Sequence, residues 1–276
     1  MAGLPHCKLL LLKLDCDIIG AMARVTREIE VWGTVLYVDV ASPDVDVTAL
    51  NAGLDQVRDF SFHVDEVFST YKPDSVVSKL RRNEIDIVDT TDEVKDVWNR
   101  CIAARDMSAG AFNPWSVEGG FDPSGLVKGW AADKCAEILQ VHGGEHILVN
   151  AAGDLTLRGG SLIDGVVTPW SIGVVNPDNR QETVKHFQIS DGAIATSGTY
   201  ERGAHIVDPH TGMIAIGAKS ATVIGPDGAL ADALATALMV EGRDGAIIFG
   251  NPELAQYSAW VIDRYGDVAW SLGPLS

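Results

Sequence analysis

Residue 145 divides this chain into two kinds of pattern. Before it, apolar residues recur at helical spacing; after it, short β-favouring runs alternate with turn signals. The spacing of Leu50, Leu54, Val57, Val64 and Val67 predicts a helix over Thr48–Phe68, and a short helix follows over Ser75–Leu80. Thr90-Thr91-Asp92-Glu93 reads as a capping box opening a helix that runs to about Ser108, with Gly110 as its stop. A third long helix is predicted over Gly125–Val141, closed by Gly143-Gly144. Ahead of these, Glu28–Val40 reads as one strand interrupted at Gly33. Past residue 145, strands are predicted over Glu145–Asn150, Asp154–Arg158, Trp170–Val175, Val184–Ser190 and Lys219–Gly225. An alanine-rich helix bearing Asp232 and Thr236 follows, then a closing hairpin of Tyr257–Asp263 and Val268–Ser271. Helices first and strands later indicate an α+β fold, with mixed, mainly antiparallel sheets and packed helices, rather than strict βαβ alternation.

The 276 residues suffice for one large domain or two packed lobes, and a 46% apolar content supplies a core. The net charge of −17, with no Lys/Arg cluster larger than Lys79–Arg82, argues against nucleic-acid and anionic-membrane partners. An anionic ligand would need a metal or backbone donors to offset that field. Cys7, Cys16, Cys101 and Cys135 contain no CxxC pair and read as free thiols rather than disulfides. The apolar run Leu9–Leu12 is too short for a secretory h-region, and no stretch reaches the length of a membrane span. A cytoplasmic location is expected. Residues 1–24 read as an N-terminal extension to a single domain over 25–276.

Chemistry concentrates in two late segments. One, from Ser197 to Gly212, carries His205 and Asp208 ahead of a Pro–His–Thr–Gly turn. In the other, Asp232 and Thr236 stand four apart and so share a helix face. A carboxylate stacked on a hydroxyl suits a hard cation such as Mg²⁺, and a nearby histidine can act as a base. That combination points to metal-assisted chemistry on a phosphate-bearing substrate. Each residue also has a plainer reading. Asp232 can be an N-cap, and Thr236 can bond back to its own helix. The glycine-rich run Gly119–Trp130 can offer amides and Lys128 to an anion, or be an ordinary turn with a solvated lysine. Tyr71 can stack on a planar ring or pack on the core. Asp154 can bond a ribose or make an Asx turn.

Taken in order, STYKPDS, GGFDPSGLVKGWA, NAAGD, ATSGTYERG, HIVDPHTG and ADALATA resemble the FAD:protein FMN transferase, or ApbE, family, over about three-quarters of the chain. The resemblance implies an ApbE/T-fold-like, two-lobed single domain. It further implies a Mg²⁺-dependent transfer of the FMN half of FAD onto a threonine hydroxyl of a target protein, with release of AMP. By the same resemblance Asp232 and Thr236 are metal ligands, with a backbone carbonyl near Val127. His205 handles the proton. Thr34, Tyr71, Asp122, Lys128, Asp154, Ser197 and Asp208 contact FAD. Two positions depart from the family pattern: Trp32, where methionine is common, and Asn113, where aspartate is expected. An FAD diphosphatase, with water in place of threonine, and a non-catalytic FAD-binding protein are the competing functions.

Overall fold

The computed structural model describes residues 23–163, 165–199, 206–265 and 268–274. The expected extension over 1–24 lies outside them except for Ala23 and Arg24, which open the first strand.

Trp32 and Gly33 both adopt positive φ, 57° and 69°. This is the backbone of a tight two-residue hairpin turn. The run expected to be one interrupted strand is therefore two, β1 (Ala23–Val31) and β2 (Thr34–Ser42), paired antiparallel. The Trp32 indole N–H donates to the Ser61 carbonyl at 3.1 Å, tying this strained residue to the helix below. That helix is α1 (Val47–Phe68), opened by Asp46, whose side chain accepts from the Thr48 amide. A short α2 (Val76–Arg81) follows, opened by Ser75.

Helix α3 (Asp92–Met107) starts without the expected capping box. Thr91 stands at its N-cap with no side-chain bond to a backbone amide of the helix; its hydroxyl donates to Glu93 Oε1 at 3.4 Å, and the same carboxylate oxygen meets His63 Nε2 at 2.7 Å. The Glu93 carboxylate thus serves a cross-helix partner and the Thr91 hydroxyl rather than a backbone amide at the helix start. Helix α4 (Ser124–Val141) bends at its first turn, where Gly125 leaves helical geometry.

Beyond α4 come β3 (His146–Ala151), β4 (Asp154–Arg158), a small hairpin β5 (Ser161–Ile163) and β6 (Val166–Thr168), and a longer one, β7 (Trp170–Asn176) and β8 (Asn179–Ile189). Next are β9 (Gly192–Gly198), β10 (Ala218–Gly225), α5 (Gly228–Glu241), β11 (Ser258–Asp263) and β12 (Ala269–Leu272). The short pair β5–β6 and the central strand β9 escape the sequence reading. Gly-Ala-Ile-Ala-Thr-Ser-Gly has weak β propensity and becomes a strand through burial between its neighbours.

Among the described residues, eight strands form one antiparallel sheet in the order β1-β2-β3-β4-β9-β10-β11-β12. Helices cover one face. Leu50, Leu54 and Leu139 from α1 and α4 pack on Leu36, Val38 and Ile147; Leu126, Trp130, Leu234 and Leu238 form the adjoining core over β9–β11. The β7–β8 hairpin covers the other face through Trp170, Ile172 and Phe187. A fully buried leucine contributes about 2 kcal/mol. The fold is thus the expected α+β, mainly antiparallel type. Cys101 and Cys135 are buried free thiols, as expected, whereas Cys7 and Cys16 lie outside the described residues. Among the described residues no helix is long and apolar enough to cross a membrane.

Candidate active site

Helices α4 and α5 cross very closely. A Cβ at Gly129 would lie 2.1 Å from the Gly228 carbonyl oxygen, so backbone meets backbone there. On α5, Gly228, Asp232 and Thr236 are four residues apart and share the face toward α4. On α4, Gly125, Gly129 and Asp133 are spaced the same way. The pairing is antiparallel: a Cβ at Gly125 would meet Thr236 Oγ1 at 3.2 Å, Lys128 Nζ is 3.6 Å from Asp232 Oδ2, and Asp133 reaches Gly228.

The sheet supplies the third wall. Ala152 and Gly153 take positive φ in the β3–β4 turn, and Asn150 Oδ1 accepts from the Gly153 amide at 2.8 Å. This hairpin sets Asp154 at the head of β4, opposite Ala151. Lys128 donates to Asp154 Oδ2, and the Asp154 and Asp232 side chains are only 4% exposed. One ammonium therefore serves two buried carboxylates, a costly arrangement in the absence of such a partner. Ser197 on β9 meets Thr236 on α5, oxygen to oxygen at 3.3 Å.

Lys128, Asp154, Ser197, Asp232 and Thr236 are thereby gathered into one cluster from four elements. The plain readings of three of them fail. Lys128 is not a solvated lysine, since it is ion-paired with a side chain 23% exposed. The Asx bond in the β3–β4 turn belongs to Asn150, not Asp154. The N-cap of α5 is Asp227, which accepts from the Leu230 amide, while Asp232 lies one turn inside. Val127 sits beside Lys128 in the first turns of α4, its side chain buried in the core.

The other expected residues are spread around this cluster. Thr34 opens β2 opposite Val31. Leu36, Ala151 and Asp154 lie abreast across three strands, so the hairpin tip at Thr34 occupies the same end of the sheet. Tyr71, between α1 and α2, is 85% exposed and does not pack on the core. Asp122 does local work: Oδ1 accepts from the Ser124 amide at 2.9 Å at the entrance to α4, and Oδ2 lies 3.8 Å from Arg81. Asp208 organises the exposed turn after it, accepting from the His210 amide at 2.8 Å and the Thr211 hydroxyl at 2.7 Å. The Thr211 hydroxyl bond leads in holding its carboxyl below the usual range. Asn113 uses its side-chain oxygen to accept from the Trp115 amide at 3.1 Å. His205 lies outside the described residues.

The donors that α5 and β9 bring together are oxygens: the Asp232 carboxylate and the Thr236 and Ser197 hydroxyls. Among the described residues no group of three or more His, Cys, Asp or Glu side chains is placed to hold a metal. An all-oxygen set with few carboxylates fits Mg²⁺, which keeps waters and takes substrate phosphate oxygens to complete its shell.

Comparison with known proteins agrees with this architecture. The flavin transferase ApbE from Vibrio cholerae superposes with a TM-score of 0.74 at 24% identity, covering 91% of this chain and 97% of that one. The ApbE protein of Thermotoga maritima superposes with a TM-score of 0.77 at 23% identity, covering 90% and 96%. Among curated sequences, the FAD:protein FMN transferase of Vibrio cholerae is 39% identical over 133 residues, 45% of this chain and 39% of that protein. The Escherichia coli K12 protein of the same name is 34% identical over 135 residues, 45% and 38%. These matches span about two-fifths of the length of the curated relatives. The sequence profile of the ApbE family matches residues 117–259, just over half of the chain. That stretch contains Asp122, Lys128, Asp154, Ser197, Asp232 and Thr236, and by this match the chain belongs to the ApbE family.

Proposed function

We propose that the protein is an FAD:protein FMN transferase, moving FMN from FAD onto a threonine hydroxyl of a target protein and releasing AMP. The observation that carries this reading is the cluster of Lys128, Asp154, Ser197, Asp232 and Thr236 at the α4–α5 crossing, in a chain whose curated relatives bear that name. Asp232 and Thr236, with a carbonyl near Val127, would hold Mg²⁺, which when bound offsets charge on the diphosphate as the bond to AMP breaks. Lys128 adds a fixed ammonium beside it. His205 takes the threonine proton as the hydroxyl oxygen attacks the FMN phosphorus. An unassisted hydroxyl is a weak nucleophile at neutral pH. The new O–P bond replaces the one to AMP, which leaves with the bonding pair. Thr34, Tyr71, Asp154, Ser197, Asp122 and Asp208 belong to the same proposal as FAD contacts. So do the single unit over 25–276 and the cytoplasmic location of the chain and its target.

The test mixes the full chain with FAD, Mg²⁺ and a protein segment bearing an acceptor threonine, and follows the FMN adduct by mass spectrometry with AMP assayed alongside. An adduct lost with EDTA and in Asp232→Ala is expected. AMP and free FMN without adduct would replace this reading with a diphosphatase. FAD bound without either product would leave a binding protein.

A further inference from the structure

Asp133 is absent from the roles assigned above, yet it is tied to the same three elements as Lys128. Its Oδ2 accepts from the Gly228 amide of α5 at 2.7 Å, and its Oδ1 accepts from the Thr156 hydroxyl of β4 at 2.6 Å. Arg158 Nη2 stands 3.9 Å from Oδ1. Thr156 is two residues beyond Asp154 and so on the same face of β4; Gly228 is one helical turn before Asp232 on the same face of α5. Two polar ties therefore run side by side across α4, β4 and α5. One is Lys128–Asp154–Asp232, and the other is Asp133–Thr156–Gly228.

The second tie has the chemistry of a helix seat. Gly228 contributes one of the amide N–H groups that the first turn of a helix cannot satisfy internally. A carboxylate there also meets the positive end of the helix dipole. Glycine at 228 leaves room, because a Cβ would come within 3.2 Å of both Asp133 oxygens. Burial raises the Asp133 carboxyl, opposed by the Thr156 and Gly228 bonds. A buried carboxylate is expensive, and here its oxygens are spent on fixing one helix end against another helix and a strand.

We propose that Asp133 is a positioning residue. By binding the first amide of α5 from α4, and Thr156 from β4, it sets the register that faces Asp232 and Thr236 toward Lys128 and Gly125. The functional half of this proposal rests on the reading of Asp232 and Thr236 given above; the seating of α5 does not.

The experiment uses the full chain and compares wild type with Asp133→Ala, Asp133→Asn and Thr156→Val. Hydrogen exchange over residues 228–236, with α1 as internal reference, reads the seating. Mn²⁺ affinity by electron paramagnetic resonance, with FMN-adduct formation, reads the site. Asp133→Ala should speed exchange over 228–236 and weaken Mn²⁺ binding, each by about tenfold, the scale of one lost hydrogen bond to a charged group. Asp133→Asn should restore both to within about threefold, because its amide oxygen still accepts from Gly228. Unchanged exchange in Asp133→Ala overturns the seating. Faster exchange with wild-type Mn²⁺ affinity and adduct overturns the positioning role. If Asp133→Ala does not fold, Thr156→Val should shift both readouts the same way by about threefold, and no shift overturns the proposal. A wild-type chain that binds no Mn²⁺ and forms no adduct marks failure of the functional reading, and the exchange result still decides the seating.

Discussion

Replacing Gly129 with alanine sets two opposed effects against each other at the α4–α5 crossing. In a helix interior alanine is favoured over glycine by about 1 kcal/mol. The new Cβ, however, would sit 2.1 Å from the Gly228 carbonyl oxygen, 2.4 Å from its carbon and 2.9 Å from the Ala229 nitrogen. A carbon–oxygen contact needs roughly 3.3 Å, so the helices must part by roughly 1 Å. Backbone cannot rotate away as a side chain would. Overpacking of this kind costs about 1–3 kcal/mol. Parting also stretches the 2.7 Å bond from Gly228 to Asp133, worth about 1.5 kcal/mol with its charged acceptor. The steric terms exceed the propensity gain, and the expected net loss is about 2 kcal/mol. For a chain of this size that lowers the melting temperature by roughly 4–6 °C. Thermal unfolding followed by circular dichroism reads the shift. Gly250→Ala is the control, since nothing lies within 4 Å of a Cβ there. It should change stability by no more than about 0.5 kcal/mol. A Gly129→Ala chain as stable as wild type, or more so, would refute the backbone-to-backbone crossing and with it the geometry of the site.

Lys128→Met removes the ammonium that serves two buried carboxylates and should cost about 3 kcal/mol in urea denaturation. A loss below about 1 kcal/mol would mean that Asp154 and Asp232 do not depend on it. For Asp133, burial is the largest influence and raises the carboxyl in the folded chain. The folded state then binds a proton more tightly than the unfolded one. Its contribution is fully present below the ordinary aspartate value of about 3.9 and is lost as pH rises through the folded value. Stability relative to Asp133→Asn should therefore increase as pH falls through the window just above that ordinary value; a flat or opposite trend counts against it. Burial raises both Cys101 and Cys135, the latter to about 12, so neither should react with a thiol reagent until the chain is unfolded. Labelling of either in native buffer would contradict the buried placement.

The sequence by itself determined the local elements and part of the chemistry. The long helices follow from apolar residues repeating at 3.6-residue spacing, and the α+β class follows from the order of the patterns. The stacking of Asp232 on Thr236 is a property of any helix that contains them four apart. Where a longer-range partner competes with a local signal, the sequence misleads. Glu93 bonds His63 and the Thr91 hydroxyl rather than closing a capping box, and Trp32-Gly33 turned an expected strand into a hairpin. Strand β9 had no propensity to announce it, and its two neighbours in the sheet impose the conformation. Only the tertiary structure decided that Lys128 serves both Asp154 and Asp232, that Ser197 meets Thr236, and that Asp133 seats α5. The two ties join residues from 23 to 104 positions apart. Such pairings are set by the sheet register and by how closely two glycine-lined helices can cross, which no local pattern encodes.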